Sequence, residues 1–247
     1  VIMGSASLKR KSGDEFNIEV LQEDKEYLNL KSKNVIMATG ARAKSLPNII
    51  PDGKSIWTYK EAMVPNTLPK SILVIGSGAI GIEFASFYND LGVDITVVEV
   101  LDRILPAEDI DISNFALKSF EKQGIKIKTS SMVKSLKTSK GKISVQIETM
   151  AGSEEVSVEK VILAVGIIGN TENLGLENTS AKVSNGQLVV DKWGATHEPG
   201  LHAIGDLVGA PWLAHKASHE GVICVERIAG VENVHPLDSS NIPGCTY

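Results

Sequence analysis

The chain has 247 residues, 43% hydrophobic and 22% charged, with 25 Lys+Arg against 30 Asp+Glu and a net charge of −5. This is the balance of an ordinary globular protein, and it gives no support to nucleic-acid or anionic-membrane binding. No apolar run approaches the ~20 residues of a membrane-spanning helix. Its two cysteines, Cys224 and Cys245, show no CxxC or metal-ligand spacing, which excludes a disulfide scaffold and fits a cytoplasmic setting.

The chain opens on VIMGSAS, with neither an initiator Met nor a signal-peptide pattern. In chain order, FNIEVL (16–21) alternates apolar and polar residues, as a half-exposed antiparallel strand does. A polar EDK turn and YLNL (27–30) follow, then KNVIMATG (33–40), whose VIMATG reads as a strand buried on both faces. The segment VPNTLPK (64–70), with Pro65 and Pro69, is the clearest linker signal and suggests a boundary near 69. SILVI (71–75) is a buried strand, 79–91 a helix with Ile82, Phe84, Ala85 and Phe87 apolar, and DITVVE (94–99) a second buried strand. The spacing predicts a helix over 110–124, capped by Asp111 or Ser113, faced by Phe115, Leu117 and Phe120 and stopped by Gly124. IKIKT (125–129) is the next strand.

ISVQIE (143–148), a turn in MAGSE, VSV (156–158) and VILAVG (161–166) then repeat the order of the opening segment. Each repeat is an antiparallel meander feeding one buried strand that stops on a glycine. Later come a strand near 187–190, a strand at 201–205 and a helix at 212–229. The chain closes on IPGCTY, which looks like a strand just starting, so both ends read as cuts through structure. The fold class is α/β. A Rossmann-like domain, made of a doubly wound parallel sheet and a β-meander, is inserted into a partial domain of similar architecture.

Gly76-Ser77-Gly78-Ala79-Ile80-Gly81 is a GxGxxG motif in its required context, with a buried strand before it and a helix after it. Gly76 allows the tight turn, Gly78 lets a pyrophosphate approach the backbone, and Gly81 lets the helix pack closely. The helix N-terminus offers N–H groups and a positive dipole end to the phosphates. Glu99 ends the next strand, roughly 20 residues on, where its carboxylate would accept both hydroxyls of an adenosine ribose and repel a 2′-phosphate. That selects NAD over NADP, and Arg103, in the loop beyond, is discounted. Gly166 ends a strand of the same sheet, so it should line the nucleotide site. By the same logic Thr39 and Gly40 sit at the mouth of a second site, although no GxGxxG precedes them. LHAIGD (201–206) places Asp206 at a strand's carboxyl end, suited to a polyol or ribose. The following helix carries small residues at Ala214, Ala217, Ser218 and Gly221, which permit close approach by a flat group.

VIMATGA, GSGAIGIEFASF, ITVVE, LDRILP, KQGIKI, NTENLGLE, HAIGD and especially PWLAHKASHEG span almost the whole chain. Through these pieces the sequence resembles the two-dinucleotide-binding-domain flavoprotein disulfide reductases, and among them the dihydrolipoamide dehydrogenases. The resemblance implies FAD in the first fold, NAD in the inserted fold, a homodimer, and lipoyl domains of 2-oxo-acid dehydrogenase complexes as partners. It implies a division into 1–68 and 169–240 for FAD, 69–168 for NAD, and 241–247 as the start of an interface domain. Positions 76–81, Glu83, Glu99, Val133 and Gly166 fall at NAD. Ala6, Thr39, Gly40, Asp206, Leu213, Ala214 and His215 fall at FAD. The family's redox disulfide, its catalytic His–Glu pair and its first GxGxxG have no counterpart here, and IIG (167–169) departs from the usual run. No catalytic residue and no metal site are therefore expected within this chain, and poor FAD retention is. The other readings are an NADH oxidase or mercuric reductase type of enzyme, or a redox-inactive nucleotide-binding module. Cys224 reads as a core cysteine; His197, His202 and His235 read as turn or surface residues; Trp57 and Trp193 read as core or interface.

Overall fold

The computed structural model describes residues 1–139 and 141–246. In chain order its elements are β1 (Ser5–Ser12), β2 (Glu15–Leu21), β3 (Tyr27–Ser32), β4 (Val35–Met37), β5 (Ala41–Ala43), β6 (Ile56–Trp57), α1 (Tyr59–Met63), β7 (Ser71–Ile75), α2 (Ala79–Asp90) and β8 (Asp94–Val98). Then follow α3 (Ile110–Lys122), β9 (Lys126–Lys128), β10 (Met132–Ser139), β11 (Lys142–Thr149), β12 (Gly152–Val158), β13 (Lys160–Leu163) and β14 (Ile167–Gly169). The last are β15 (Val183–Ser184), β16 (Gln187–Leu188), β17 (Leu201–Ala203) and α4 (Ala214–Ile228). They form two compact units: Val1–Arg42 with Ile168–Gly244, and Ala43–Ile167 with Cys245–Tyr247.

The second unit is built on a five-stranded parallel sheet of order β6-β13-β7-β8-β9. The two-residue alternation of strand side chains divides its apolar residues between two cores. Ile72 and Val74 face one core with Ala85, Tyr88 and Ile95, while Leu73 and Ile75 face the other with Ile143, Val145 and Ile147 of the meander. Val161, Ile162 and Leu163 are buried as a strand covered on both faces should be. The meander β10-β11-β12 is antiparallel, with a bulge between Val133 and Ser135.

The proline segment 64–70 lies inside this unit rather than at its edge, because Ile49, Trp57 and Ala62 already belong to its cores. Tyr88 fixes the short helix α1 by donating its phenol to Ala62 O at 2.6 Å. α3 is capped by Asp109, whose carboxylate accepts from Asp111 N, and not by Asp111 or Ser113. Ser113 instead turns inward and donates to Leu105 O at 3.1 Å. Phe115 is exposed; the inner face of α3 is carried by Ala116, Leu117 and Phe120.

The first unit holds the second meander, β1-β2-β3, and a two-stranded parallel pair, β17-β4. Its core gathers Leu8, Phe16, Met37, Leu188, Leu201, Ala203 and Leu207. The repeat in the sequence is thus real at the level of the meanders, each with one strand more than the alternation reveals. It fails for VIMATG, where Val35 and Ile36 are only half-buried. β13 lies between two strands, whereas β4 pairs with β17 alone among the described residues. Residues 242–246 form no strand.

Candidate functional site

β7 delivers the chain to Gly76, whose N–H donates to Val98 O at 2.9 Å and whose φ of +99° suits glycine. A Cβ there would stand 2.4 Å from Ala164 O; one on Gly81 would stand 2.0 Å from Gly76 O and 3.4 Å from Ala164 Cβ. These two glycines let loop, helix and β13 touch. Gly78 and Gly166 differ, since a Cβ on either meets nothing within 4 Å. Gly78 is also the N-cap of α2 and supplies no side-chain cap, so no capping side chain covers the helix's first N–H groups.

A cleft of about 510 Å³ opens over this loop. Of the expected NAD residues it is lined by Gly76, Gly78, Glu99, Val133 and Gly166, whereas Ala79, Ile80, Gly81 and Glu83 do not line it. Arg103 is also outside it and donates to Pro106 O at 3.0 Å within its own loop. The wall formed by Leu46, Pro47, Asn48 and Ile49 carries no sequence signal; it is placed by the packing of Ile49 into the meander-side core. Lys134 is a second lining residue that the sequence does not mark, and it forms an ion pair with Glu148.

Glu99 is not the freely presented carboxylate that its position at a strand end suggests. It is 6% exposed and held by three donors. Oε2 accepts from Ser77 N at 2.8 Å and from Ser77 Oγ at 2.7 Å, and Oε1 accepts from Leu101 N at 2.8 Å. Its backbone is fixed as well: its N–H donates to Lys128 O, and its carbonyl accepts from Ser131 N. A carboxylate offers about four acceptor positions, so capacity for a ligand hydroxyl remains.

In the first unit, Thr39 Oγ1 donates to Asn170 O at 2.8 Å, and the Asn170 amide returns a bond to Thr39 O at 2.9 Å. Gly40 has a φ of +70° and open space where a Cβ would be. Arg42 donates to Gly169 O, to Asn170 Oδ1 and, through both guanidinium nitrogens, to Glu172. That fork holds the Glu172 carboxyl below the usual carboxylate range. Asp206 lies in a short 3-10 turn, Gly205–Val208, between β17 and α4.

The residue that fixes this turn is Lys216, which no motif in the sequence marks. It is 4% exposed and donates to Gly205 O at 3.2 Å and Gly209 O at 2.9 Å. Its ammonium pairs with Glu220 at 3.0 Å, and Glu220 accepts from Gly205 N. The i,i+4 spacing of Lys216 and Glu220 was the available signal. Ala6 is exposed and pairs with Val20; Leu213 caps α4, followed by Ala214; His215 is exposed, its Nε2 2.9 Å from Pro243 O. None of these expected FAD residues lines the unit's clefts of about 180 and 280 Å³. Among the described residues, no group of three His, Cys, Asp or Glu could hold a metal ion, and no helix is long and apolar enough to cross a membrane.

Residues 2–221 match the family described as pyridine nucleotide-disulphide oxidoreductase. The chain is 54% identical to the dihydrolipoyl dehydrogenase of Rhizobium etli over 87% of its own length and 45% of that protein's. It is 41% identical to that of Bacillus subtilis over 99% of its length and 49% of that protein's. It thus spans about half the length of the curated relatives it matches. Among solved structures, LpdA of Mycobacterium tuberculosis superposes with a TM-score of 0.88 at 30% identity, covering 96% of this chain and 52% of that one. The flavoprotein disulfide reductase RclA of Escherichia coli, at 23% identity and a TM-score of 0.83, shares the fold over 96% of this chain and 52% of its own. The chain belongs to the pyridine nucleotide-disulphide oxidoreductase family.

Proposed function

We propose that the second unit binds NAD in the cleft above Gly76, Gly78 and Gly166. The observation that carries this reading is the buried Glu99 carboxylate, held at the edge of a cleft whose floor is a glycine loop with open space above it. The pyrophosphate would lie over Gly78 at the start of α2, where backbone N–H groups face it and no side chain intervenes. Glu99 would accept from the ribose hydroxyls and repel a 2′-phosphate by like charge. Val133 and the wall at 46–49 would cover the adenosine end with apolar surface, and Glu83 would sit toward the nicotinamide.

The first unit, in this reading, contributes to FAD binding through Ala6, Thr39, Gly40, Asp206 and the start of α4 at Leu213, Ala214 and His215. Bound FAD supplies the passage of electrons between a dithiol and nicotinamide. The residues around Asp206 fit a polar ligand, because Lys216 and Glu220 hold the turn without using the Asp206 carboxylate. With relatives named dihydrolipoyl dehydrogenase, the whole protein would oxidise protein-bound dihydrolipoamide and pass hydride to NAD⁺. It would act as a cytoplasmic homodimer serving lipoyl domains of 2-oxo-acid dehydrogenase complexes. The chemistry of the thiols lies outside this chain's residues; its own part is to bind and orient nucleotides.

Titration with NAD⁺ and NADP⁺, followed by tryptophan fluorescence or calorimetry, tests the reading. NAD⁺ binds more tightly, and Glu99→Ala narrows the preference. Equal affinities in the unaltered chain would overturn it.

A further inference from the structure

We infer that Ser77, the second residue of the glycine loop, is a specificity-positioning residue: its hydroxyl sets the orientation of the Glu99 carboxylate and through it the preference for a nucleotide without a 2′-phosphate. The inference rests on the reading of the cleft as an NAD site and adds a residue that the GxGxxG pattern leaves as "x".

Three observations carry it. Ser77 is fully buried, so its hydroxyl has no water to exchange with, and it points at Glu99 Oε2 at 2.7 Å. The Ser77 backbone is fixed independently of that hydroxyl, since its carbonyl accepts from Leu105 N at 2.9 Å and its N–H donates to the same Oε2. Leu105 is in turn held by Ser113 and Glu108, which both donate to its carbonyl. Removing the hydroxyl therefore leaves the loop's path in place and takes away one of the two donors on Oε2. With Oε2 held by two donors and Oε1 by Leu101 N, the carboxylate plane is tightly fixed; with Oε2 held by Ser77 N–H alone, it is held more loosely.

A more loosely held carboxylate presents a poorer acceptor to the ribose hydroxyls and retreats more easily from a 2′-phosphate. Affinity for NAD then falls and affinity for NADP rises, so the ratio moves from both ends. A Ser77 that only satisfied its own buried hydroxyl would act differently, because its loss would weaken both nucleotides alike.

The experiment is a double-mutant cycle read by binding: NAD⁺ and NADP⁺ dissociation constants for the full chain, Ser77→Ala, Glu99→Ala and the double variant. The expected result is a NAD⁺:NADP⁺ preference lowered roughly three- to tenfold by Ser77→Ala, the size of a typical net hydrogen bond, since the carboxylate keeps its two backbone donors. In the Glu99→Ala background Ser77→Ala changes nothing further, because the two act as one unit. Equal weakening of both nucleotides, or the same change in both backgrounds, overturns the inference while leaving the NAD reading standing. An unaltered chain with no preference overturns both.

Discussion

His202 lies on β17 between Leu201 and Ala203, and its Nδ1 is buried with no hydrogen-bond partner among the described residues. Burial lowers its pKa, and the nearby Asp191 carboxylate offsets this only in part. A histidine whose folded pKa is depressed contributes stability that is present above its ordinary value of about 6.5 and is lost as pH falls toward the folded value. The melting midpoint of the first unit is therefore expected to drop between pH 7.5 and pH 5.5, and His202→Phe to flatten that slope. An unchanged slope in the variant, measured by circular dichroism, would refute the assignment. The sequence presents His202 as a turn or surface residue although it falls within the strand expected at 201–205. The pairing of β17 with β4 leaves it half-buried, with Nδ1 turned inward. Glu99 shows the same limit. Its place at a strand end is legible, but two of the three bonds that hold its carboxylate depend on a loop that folds back from 22 residues away.

Among the elements, the four glycines around α2 divide by what surrounds them. Gly81→Ala forces a Cβ against the Gly76 carbonyl and is expected to lower stability by several kcal/mol, on the order of an overpacked core, and to abolish nucleotide binding. Gly78→Ala meets open space at a φ of −66°, so it is expected to melt like the parent chain and yet bind NAD⁺ at least about tenfold more weakly. Paired melts and titrations check both; a destabilised Gly78→Ala would show that the space above the loop is not free. β7 and β8 are legible as unbroken apolar runs because both of their faces are buried, and α2 from its helical spacing. β1 and β10 are not, because SASLKRKS and MVKSLKTS place most residues in solvent and take their register from the apolar neighbours β2 and β11. The cap at Asp109 was missed for a local reason. Three acidic or hydroxyl residues compete within five positions, and the one that starts the helix is set by where Ser113 must turn to reach Leu105.

At the scale of the whole molecule, the α/β class and the presence of two related folds are legible, since the meanders leave alternation in the sequence and the parallel sheet leaves unbroken apolar runs. The edge of the second unit is not. Proline marks where a helix or strand must stop, not where packing stops, and the segment before Pro65 already belongs to the parallel sheet through Ile56 and Trp57. The unit carries its three apolar clusters, its meander and the whole cleft within 43–167. A chain of 43–167 alone is therefore expected to unfold cooperatively and to keep the NAD⁺ affinity of the full chain within about threefold. Denaturant unfolding and titration decide it, and a non-cooperative transition would count against an independent core.

The Arg42 fork and the Thr39–Asn170 exchange have a consequence for how such a chain is assembled. They join the outgoing and returning strands of the first unit side by side, so that everything between them is a side loop on a closed ring. Closing a loop costs only about 0.6 kcal/mol for each doubling of its length. A whole folded unit can thus hang from that ring for only about 3 kcal/mol more than a short hairpin, roughly five doublings of loop length. The clasp is a grafting point, where one folded unit can carry another without altering its own connectivity.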